Sequence, residues 1–159
     1  MSAPSTKPLK VLIVEDQFLI AKQLEMIVLS AGHSVVGTAS SSIEAQELAA
    51  TTMPDLALVD ISLADGITGT DVGKFIVDEC GAAVVFTTAN ARRIPDDLCG
   101  AVGVVEKPFA RNDISQALKY LSAHLVGLRP INLPDVPVKP NGLRLSPSFS
   151  ELWGTGTAA

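Results

Sequence analysis

The side chains best suited to chemistry stand where short apolar runs of this sequence stop. Glu15 and Asp16 close the run KVLIVED, and Asp60 closes LALVD. Two threonines follow AVVF, and Lys107 follows VGVVE. Carboxylates are preferred ligands of Mg²⁺, an aspartate can attack phosphorus, and a lysine supplies a point charge for phosphate oxygens. Brought together, these groups would hold a divalent metal ion and a phosphoryl group.

The elements that must position these side chains alternate between strand and helix patterns. We predict strands at 11–14, 35–38, 56–59, 83–86 and 102–105, and helices at 17–31, 41–52, 70–79, 91–99 and 113–125. This alternation predicts an α/β fold with a doubly wound, five-stranded parallel sheet covered by helices on both faces. Because the carboxyl ends of parallel strands share one crevice, we expect the side chains above to converge there. The helix at 91–99 is short and contains Pro95, which breaks helices.

The composition limits the classes of protein to which this chain can belong. Its 159 residues, 47% of them apolar, suffice for one domain with a core, and a net charge of −5 gives no basis for nucleic-acid binding. No stretch is typical of a signal peptide or a membrane span. Cys80 and Cys99 match no metal or redox spacing, so we expect reduced thiols in a cytoplasmic protein. We expect a flexible N-terminus at 1–8, a globular domain at 9–126 and a proline-rich C-terminal arm at 127–159 without a separate domain.

The three acids are more informative together than apart. Asp60 alone fits a helix cap or a loop, and Glu15 and Asp16 alone fit acids that complement the N-terminal dipole of the next helix. Packed at one sheet edge, however, they repel each other unless a cation joins them, which favours a Mg²⁺ site. Thr88 can donate a hydroxyl to a phosphoryl oxygen. Thr87 is the competing candidate for this role, because adjacent strand residues face opposite ways and only one of the two should reach the crevice.

An ordered set of strand-end motifs resembles the receiver domain of two-component response regulators: Glu15-Asp16, Asp60, Thr88-Ala89 and Lys107-Pro108-Phe109. The resemblance covers about residues 9–126 and implies a flavodoxin-like fold with strand order 2-1-3-4-5. It implies Asp60 as the phosphoacceptor and a sensor histidine kinase as the phosphoryl donor. Mg²⁺ would be bound by Glu15, Asp16, Asp60 and the Ser62 backbone carbonyl. Thr88 and Lys107 would be the catalytic switch hydroxyl and the phosphate-contacting lysine.

The resemblance also implies finer features around the site. The Lys107–Pro108 bond is expected to be cis, and Ser62 and Asn90 occupy the positions that tune loss of the phosphoryl group. Several positions depart from the family pattern. Val104 replaces the usual aromatic switch residue, and the segment between Thr88 and Lys107 is short. The loop after Asp60, ISLADGITG, lacks the usual proline and is one residue longer.

The expected output follows from what accompanies the site. Because the chain has no DNA-binding pattern, we expect a stand-alone, chemotaxis-receiver-like regulator that signals by protein contact or by onward transfer to a histidine phosphotransfer protein. A degenerate receiver that acts as a phosphorylation-independent interaction module is the alternative. An aspartyl phosphatase or phosphotransferase is disfavoured. Such enzymes usually carry a second acid two residues after the nucleophile, where Ser62 stands, so we expect no enzymatic turnover.

The proline-rich arm carries more large apolar residues than a solvated tail needs. Ser148-x-x-Glu151 can cap a helical turn that groups Phe149, Leu152 and Trp153. We expect these three residues to be arm contacts that pack on a receiver surface. Packing on a second subunit would give a symmetric homodimer with exchanged arms.

Overall fold

The computed structural model describes residues 8–125 and 142–149. Its elements, in chain order, are β1 (Lys10–Val14), α1 (Phe18–Ser30), β2 (Ser34–Ala39), α2 (Ser42–Thr52), β3 (Leu56–Val59), α3 (Gly69–Cys80), β4 (Ala83–Thr88), β5 (Gly103–Glu106), α4 (Arg111–Leu125) and β6 (Leu143–Leu145). The sheet order is β2-β1-β3-β4-β5-β6, with β1 to β5 parallel. The predicted doubly wound α/β fold is therefore confirmed.

The sheet separates two apolar layers because alternate strand residues face opposite sides. Leu58 and Val85 pack in the layer that contains the buried faces of α1 and α4. Val59 and Phe86 pack in the layer that contains those of α2 and α3. The four residues of β3 are buried throughout, as expected for a central parallel strand. This two-sided core fixes the strand ends that carry the acids.

Side-chain hydrogen bonds of Ser41 and Glu44 cap the start of α2. The Ser41 hydroxyl accepts a hydrogen bond from the Glu44 backbone N–H at 3.3 Å, and the Glu44 carboxylate accepts one from the Ser40 N–H at 2.8 Å. These bonds satisfy N–H groups that have no partner within a helix.

The helix predicted at 91–99 is wrong. The described chain between β4 and β5 forms two short 3₁₀ turns, Ala91–Arg93 and Leu98–Gly100, and no α-helix. Pro95 contributes no N–H donor, and Leu98 and Cys99 have φ angles of 56° and 53°, outside the right-handed helical region. Leu98 is nonetheless buried against the α2–α3 layer, so the segment is held by packing rather than by helical hydrogen bonds.

The five expected parallel strands are present, and part of the C-terminal arm adds a sixth strand, β6, antiparallel to β5. Leu143 is fully buried in the α1–α4 layer, and Phe149 packs against the same cluster. The Ser146 N–H extends the pairing by donating to the Val102 carbonyl at 2.8 Å. The burial of Leu143 explains why this segment joins the sheet. The other expected arm contacts, Leu152 and Trp153, lie outside the described residues, as does most of the predicted flexible N-terminus.

Two further sequence expectations can be compared with the structure. Cys80 and Cys99 are both free thiols. Within the described chain, every helix is too short or too polar to cross a lipid bilayer.

Candidate functional site

The carboxyl ends of β1, β3 and β5 bring three predicted site residues into direct contact. Lys107 Nζ donates hydrogen bonds to Glu15 Oε1 at 2.6 Å and to Asp60 Oδ2 at 2.8 Å. Glu15 and Asp60 are only 3% and 5% exposed. The Lys107–Pro108 bond is cis, as the resemblance implies. A partly buried ammonium group therefore bridges two buried carboxylates where the parallel strands end.

Asp16 completes the acidic cluster on the solvent side. One carboxylate oxygen from each of Glu15, Asp16 and Asp60 lies within 4.8 Å of the others, and Asp16 is exposed. Three hard oxygen donors with one open side suit an ion such as Mg²⁺, which keeps water or phosphate oxygens among its ligands. The Ser62 backbone N–H donates to Asp60 Oδ1 at 3.3 Å, which places the backbone of Ser62 beside the cluster.

Burial and pairing have opposing effects on the charges of this cluster. Burial raises the pKa of Glu15 above its usual value, although hydrogen bonds from Lys107 and from the Gln17 N–H act to lower it. Burial alone would lower the pKa of Lys107, but its bonds to Asp60 and Glu15 outweigh that effect and raise it. Lys107 is therefore a cation at neutral pH. The 2.6 Å contact is a charge-assisted bond that opposes the effect of burial on the Glu15 carboxylate.

The two threonines at the end of β4 face opposite sides of the sheet. Val85 and Phe86 lie in different apolar layers, so the alternation places Thr87 on the α1–α4 side and Thr88 on the α2–α3 side. Thr88 Oγ1 accepts a hydrogen bond from the Asn90 N–H at 3.0 Å. Among the described residues, the buried Thr87 hydroxyl has no partner.

The remaining predicted positions lie around the site. Ser62 and Asn90 are exposed at its rim, where water can reach them. Val104 is fully buried in the α2–α3 layer and pairs with Phe86 of β4. The Thr88 carbonyl accepts the Lys107 N–H at 2.8 Å, so the ends of β4 and β5 are joined through backbone.

Asp65, in the loop between β3 and α3, was missed by sequence reasoning. Its carboxylate accepts hydrogen bonds from the Ser42 N–H at 3.1 Å, from the Thr68 hydroxyl at 2.8 Å and from the Ser42 hydroxyl. These bonds fasten the loop that follows Asp60 to the first turn of α2. The Asp65-Gly66 pair is a turn signal in the sequence, but nothing in its spacing indicates a contact with a residue 23 positions away.

Comparison with known proteins identifies the class that this fold and site define. Residues 11–119 match the family described as the response regulator receiver domain. That range covers more than half of the chain and includes Glu15, Asp60 and Lys107. The chain belongs to the response regulator receiver family.

Individual relatives agree with this assignment. The chain is 34% identical over 111 residues to the phyllosphere-induced regulator PhyR of Methylorubrum extorquens, matching 69% of this chain and 42% of that protein. It is 33% identical over 132 residues to the transcriptional regulatory protein PdtaR of Mycobacterium tuberculosis, matching 75% of this chain and 62% of the relative. The chain thus spans less than two thirds of either curated relative.

A solved structure agrees as well. The PhyR receiver domain of Erythrobacter litoralis superposes with a TM-score of 0.66 at 32% identity, covering 81% of this chain and 98% of that domain. Receiver domains typically bind Mg²⁺ at an acidic cluster, and the cluster of Glu15, Asp16 and Asp60 supplies oxygen donors of that kind. The residues present therefore fit the metal ion that the family implies.

Proposed function

We propose that this chain is a response regulator receiver that accepts a phosphoryl group on Asp60 from a sensor histidine kinase, in a Mg²⁺-dependent reaction. The observation that carries the proposal is the contact of one partly buried ammonium group, Lys107 Nζ, with both Glu15 and Asp60. Burying two acids beside a lysine is unfavourable for folding, because each charge loses its hydration. Stability alone therefore does not account for this arrangement. Such costs are typical of sites that bind charged ligands.

The proposed chemistry is a single group transfer. A carboxylate oxygen of Asp60 attacks the phosphorus of the donor's phosphohistidine. The new O–P bond forms as the P–N bond breaks, and the electron pair of that bond leaves with the imidazole nitrogen. The reaction needs positioning and neutralisation of charge more than covalent assistance, so a small set of side chains suffices.

Each residue of the site has a part in this scheme. Lys107 supplies the positive charge for the phosphoryl oxygens, and the Thr88 hydroxyl and the Ser62 N–H supply hydrogen bonds. Mg²⁺, when bound by Glu15, Asp16, Asp60 and the Ser62 carbonyl, would offset the negative charge shared by the acids and the phosphoryl group. Ser62 and Asn90 at the rim would set how easily water reaches the acyl phosphate. The chain would undergo this chemistry itself rather than turn over an external substrate.

The proposed output is a contact with another protein in the cytoplasm, or onward transfer to a histidine phosphotransfer protein. The net charge of −5 gives no electrostatic reason for contact with nucleic acid. PdtaR is named a transcriptional regulatory protein. An effect on gene expression is compatible with our proposal when a partner protein carries it.

The test is the intact mass of the chain after incubation with a small acyl phosphate and Mg²⁺. We expect one phosphoryl adduct, which Asp60→Asn and removal of Mg²⁺ both abolish. Transfer from a phosphorylated histidine kinase then tests the natural donor. An adduct that persists in Asp60→Asn would contradict the assignment of the acceptor.

The alternative is a degenerate receiver that binds partners irrespective of phosphorylation. Two observations favour it, namely the buried Val104 at the switch position and the 3₁₀ turns where an α-helix was expected. A folded, Mg²⁺-binding chain that accepts no phosphoryl group from either donor would support this alternative.

The exchanged-arm homodimer is also part of the proposal. In the described chain β6 pairs with β5 of the same molecule, and residues 126–141 connect α4 to it. The same contacts made with a second chain would give a symmetric dimer. Truncation after Gly127 should then weaken self-association in sedimentation equilibrium. Equal association of both forms would contradict arm exchange.

A further inference from the structure

The loop between β3 and α3 is fixed to the site at its base. The Ser62 N–H donates to Asp60 Oδ1, and the Gly69 N–H donates to the Ile61 carbonyl at 3.0 Å. A Cβ at Gly69 would stand 2.0 Å from the Asp60 carbonyl oxygen, so α3 begins directly against the backbone of Asp60. The loop therefore leaves and returns beside the proposed phosphoacceptor.

The outer half of the loop is fixed by different contacts. Leu63 and Gly66 exchange backbone hydrogen bonds of 2.8 and 3.0 Å across a tight turn, and the Ala64 N–H donates to the Ser40 carbonyl at 2.9 Å. Asp65, at the tip of that turn, binds both the N–H and the hydroxyl of Ser42. The loop is thus attached at two adjacent points, to Ser40 just before α2 and to Ser42 at its start.

The contact between Asp65 and α2 is chemically favourable. Ser42 is the first residue of α2, and its N–H is one of those without a partner in the helix. A carboxylate at this position also complements the positive end of the helix dipole. Thr68, from the other arm of the loop, adds a third donor to the same carboxylate. Asp65 is exposed, so its bonds restrict the position of the loop more than they add to core stability.

We propose that Asp65 is a positioning residue of the phosphoacceptor site, holding the loop so that the backbone of Ser62 stays at Asp60. This inference rests on the proposed function, because Ser62 matters through Mg²⁺ and the phosphoryl group. Without the Asp65 contact the loop keeps the Gly69–Ile61 bond at its base but loses most of its attachment beside α2, which leaves Ser62 held to the site only by its 3.3 Å bond to Asp60. Ser62 would then sample positions in which its backbone no longer faces the acidic cluster.

The test compares four single substitutions in the full chain. Asp65→Ala removes the carboxylate that accepts the hydrogen bonds. Ser42→Pro removes the Ser42 N–H and hydroxyl, which both donate to that carboxylate. Proline suits this first helical position, since Ser41 before it is extended, with φ −133° and ψ 164°. Asp65→Asn keeps one acceptor oxygen and serves as the conservative rescue. Asp78→Ala removes another exposed acid, in α3, which pairs with Lys74, and serves as the control.

Two readouts separate positioning from general stability. Amide hydrogen exchange of Ala64 and Leu63, measured without metal, reports attachment of the loop. The Mg²⁺ dissociation constant, measured by calorimetry, reports the site. We expect Asp65→Ala and Ser42→Pro to speed the exchange and to weaken Mg²⁺ about tenfold, in the range found for residues that orient metal ligands. The exchange rates and the Mg²⁺ dissociation constant of Asp65→Asn should lie between those of these two variants and those of the wild type. Asp78→Ala should match the wild type in both.

The outcomes distinguish this inference from the function on which it rests. Wild-type affinity for Mg²⁺ in both Asp65→Ala and Ser42→Pro would overturn the positioning role alone. Weaker Mg²⁺ binding in Asp78→Ala would also overturn the positioning role, since the removal of any acidic side chain would then have the same effect. A wild-type chain that neither binds Mg²⁺ nor accepts a phosphoryl group would overturn both.

Discussion

Gly103 of β5 lies so close to Arg144 of β6 that a Cβ on the glycine would stand 2.5 Å from the Arg144 carbonyl oxygen. Side chains essentially never make such a contact with backbone, so β6 can pair here only because residue 103 is glycine. The contact couples a residue of the parallel sheet to one of the arm. It also provides a way to detach the arm without cutting the chain.

We predict that Gly103→Val releases β6 and leaves β1 to β5 paired. The Ser146 N–H, which donates to Val102 in the native sheet, should then exchange rapidly with solvent. Leu143→Ala should act in the same direction from the other strand, with a cost of about 2–5 kcal/mol for truncating a buried leucine. Continued protection of the Ser146 amide in Gly103→Val would show that the strand tolerates the clash.

Replacing Lys107 with methionine should strongly destabilise the metal-free protein. Loss of one partner of a buried ion pair leaves uncompensated charge, here on Glu15 and Asp60, at a cost of about 3–5 kcal/mol in urea unfolding. Added Mg²⁺ should recover part of that loss. The control is Lys74→Met, which breaks an exposed pair with Asp78 and should change the free energy of unfolding by less than about 0.5 kcal/mol. Equal effects of the two substitutions would argue against a Lys107 ammonium group that is partly buried and paired with Glu15 and Asp60.

Replacing either threonine at the end of β4 with valine should have a different effect at each position. Thr87→Val removes a buried hydroxyl that has no partner, so the free energy of unfolding should stay equal or rise by about 1 kcal/mol. Thr88→Val removes the acceptor of the Asn90 N–H and should slow phosphorylation by an acyl phosphate. The two rates, measured by intact mass over time, decide which hydroxyl serves the site. Slower phosphorylation in Thr87→Val alone would reverse the assignment.

His33 should make stability depend on pH below neutrality. Burial lowers the pKa of His33 from 6.5, and its Nδ1 accepts the Leu9 N–H at 3.0 Å, a bond that needs the neutral ring. The unfolded chain therefore takes up a proton more readily than the folded one. The stabilising contribution is complete above pH 6.5 and is lost as the pH falls toward the lowered value.

The free energy of unfolding, measured between pH 7.5 and 5, checks this expectation. His33→Asn keeps an acceptor oxygen but does not titrate, so its curve should be flatter than that of the wild type. A wild-type slope in His33→Asn would exclude His33 as the source.

The sequence was sufficient for the parts of this protein in which local pattern and chemistry agree. The strands carry apolar runs that end in acids or lysine, so both the sheet and the meeting of Glu15, Asp60 and Lys107 could be predicted. The Ser41-x-x-Glu44 spacing at the start of α2 is also a local pattern, because the two residues are three positions apart. These features depend on periodicity or on short spacing.

The features that were missed depend on contacts between distant residues. A strand of three residues, β6, is too short to show a period, and its pairing depends on a glycine about forty positions earlier. The bond from Asp65 to Ser42 has no local signal either. Between β4 and β5, the alternation of strands and helices suggested a helix. Pro95 lacks an N–H donor there, and Leu98 and Cys99 have positive φ angles, so no α-helix forms in this segment.

The pairing of β6 also bears on self-association of the protein at high concentration. Without β6, β5 would be the edge strand of the sheet. Its unpaired N–H and C=O groups and its apolar side chains would then be a template for pairing with another chain. With β6 in place, that edge of the sheet is only three residues long, and the side chain of Arg144 on it is exposed. Short edges that carry a charge are poor templates for intermolecular sheet growth. The arm therefore protects this edge of the domain against aggregation.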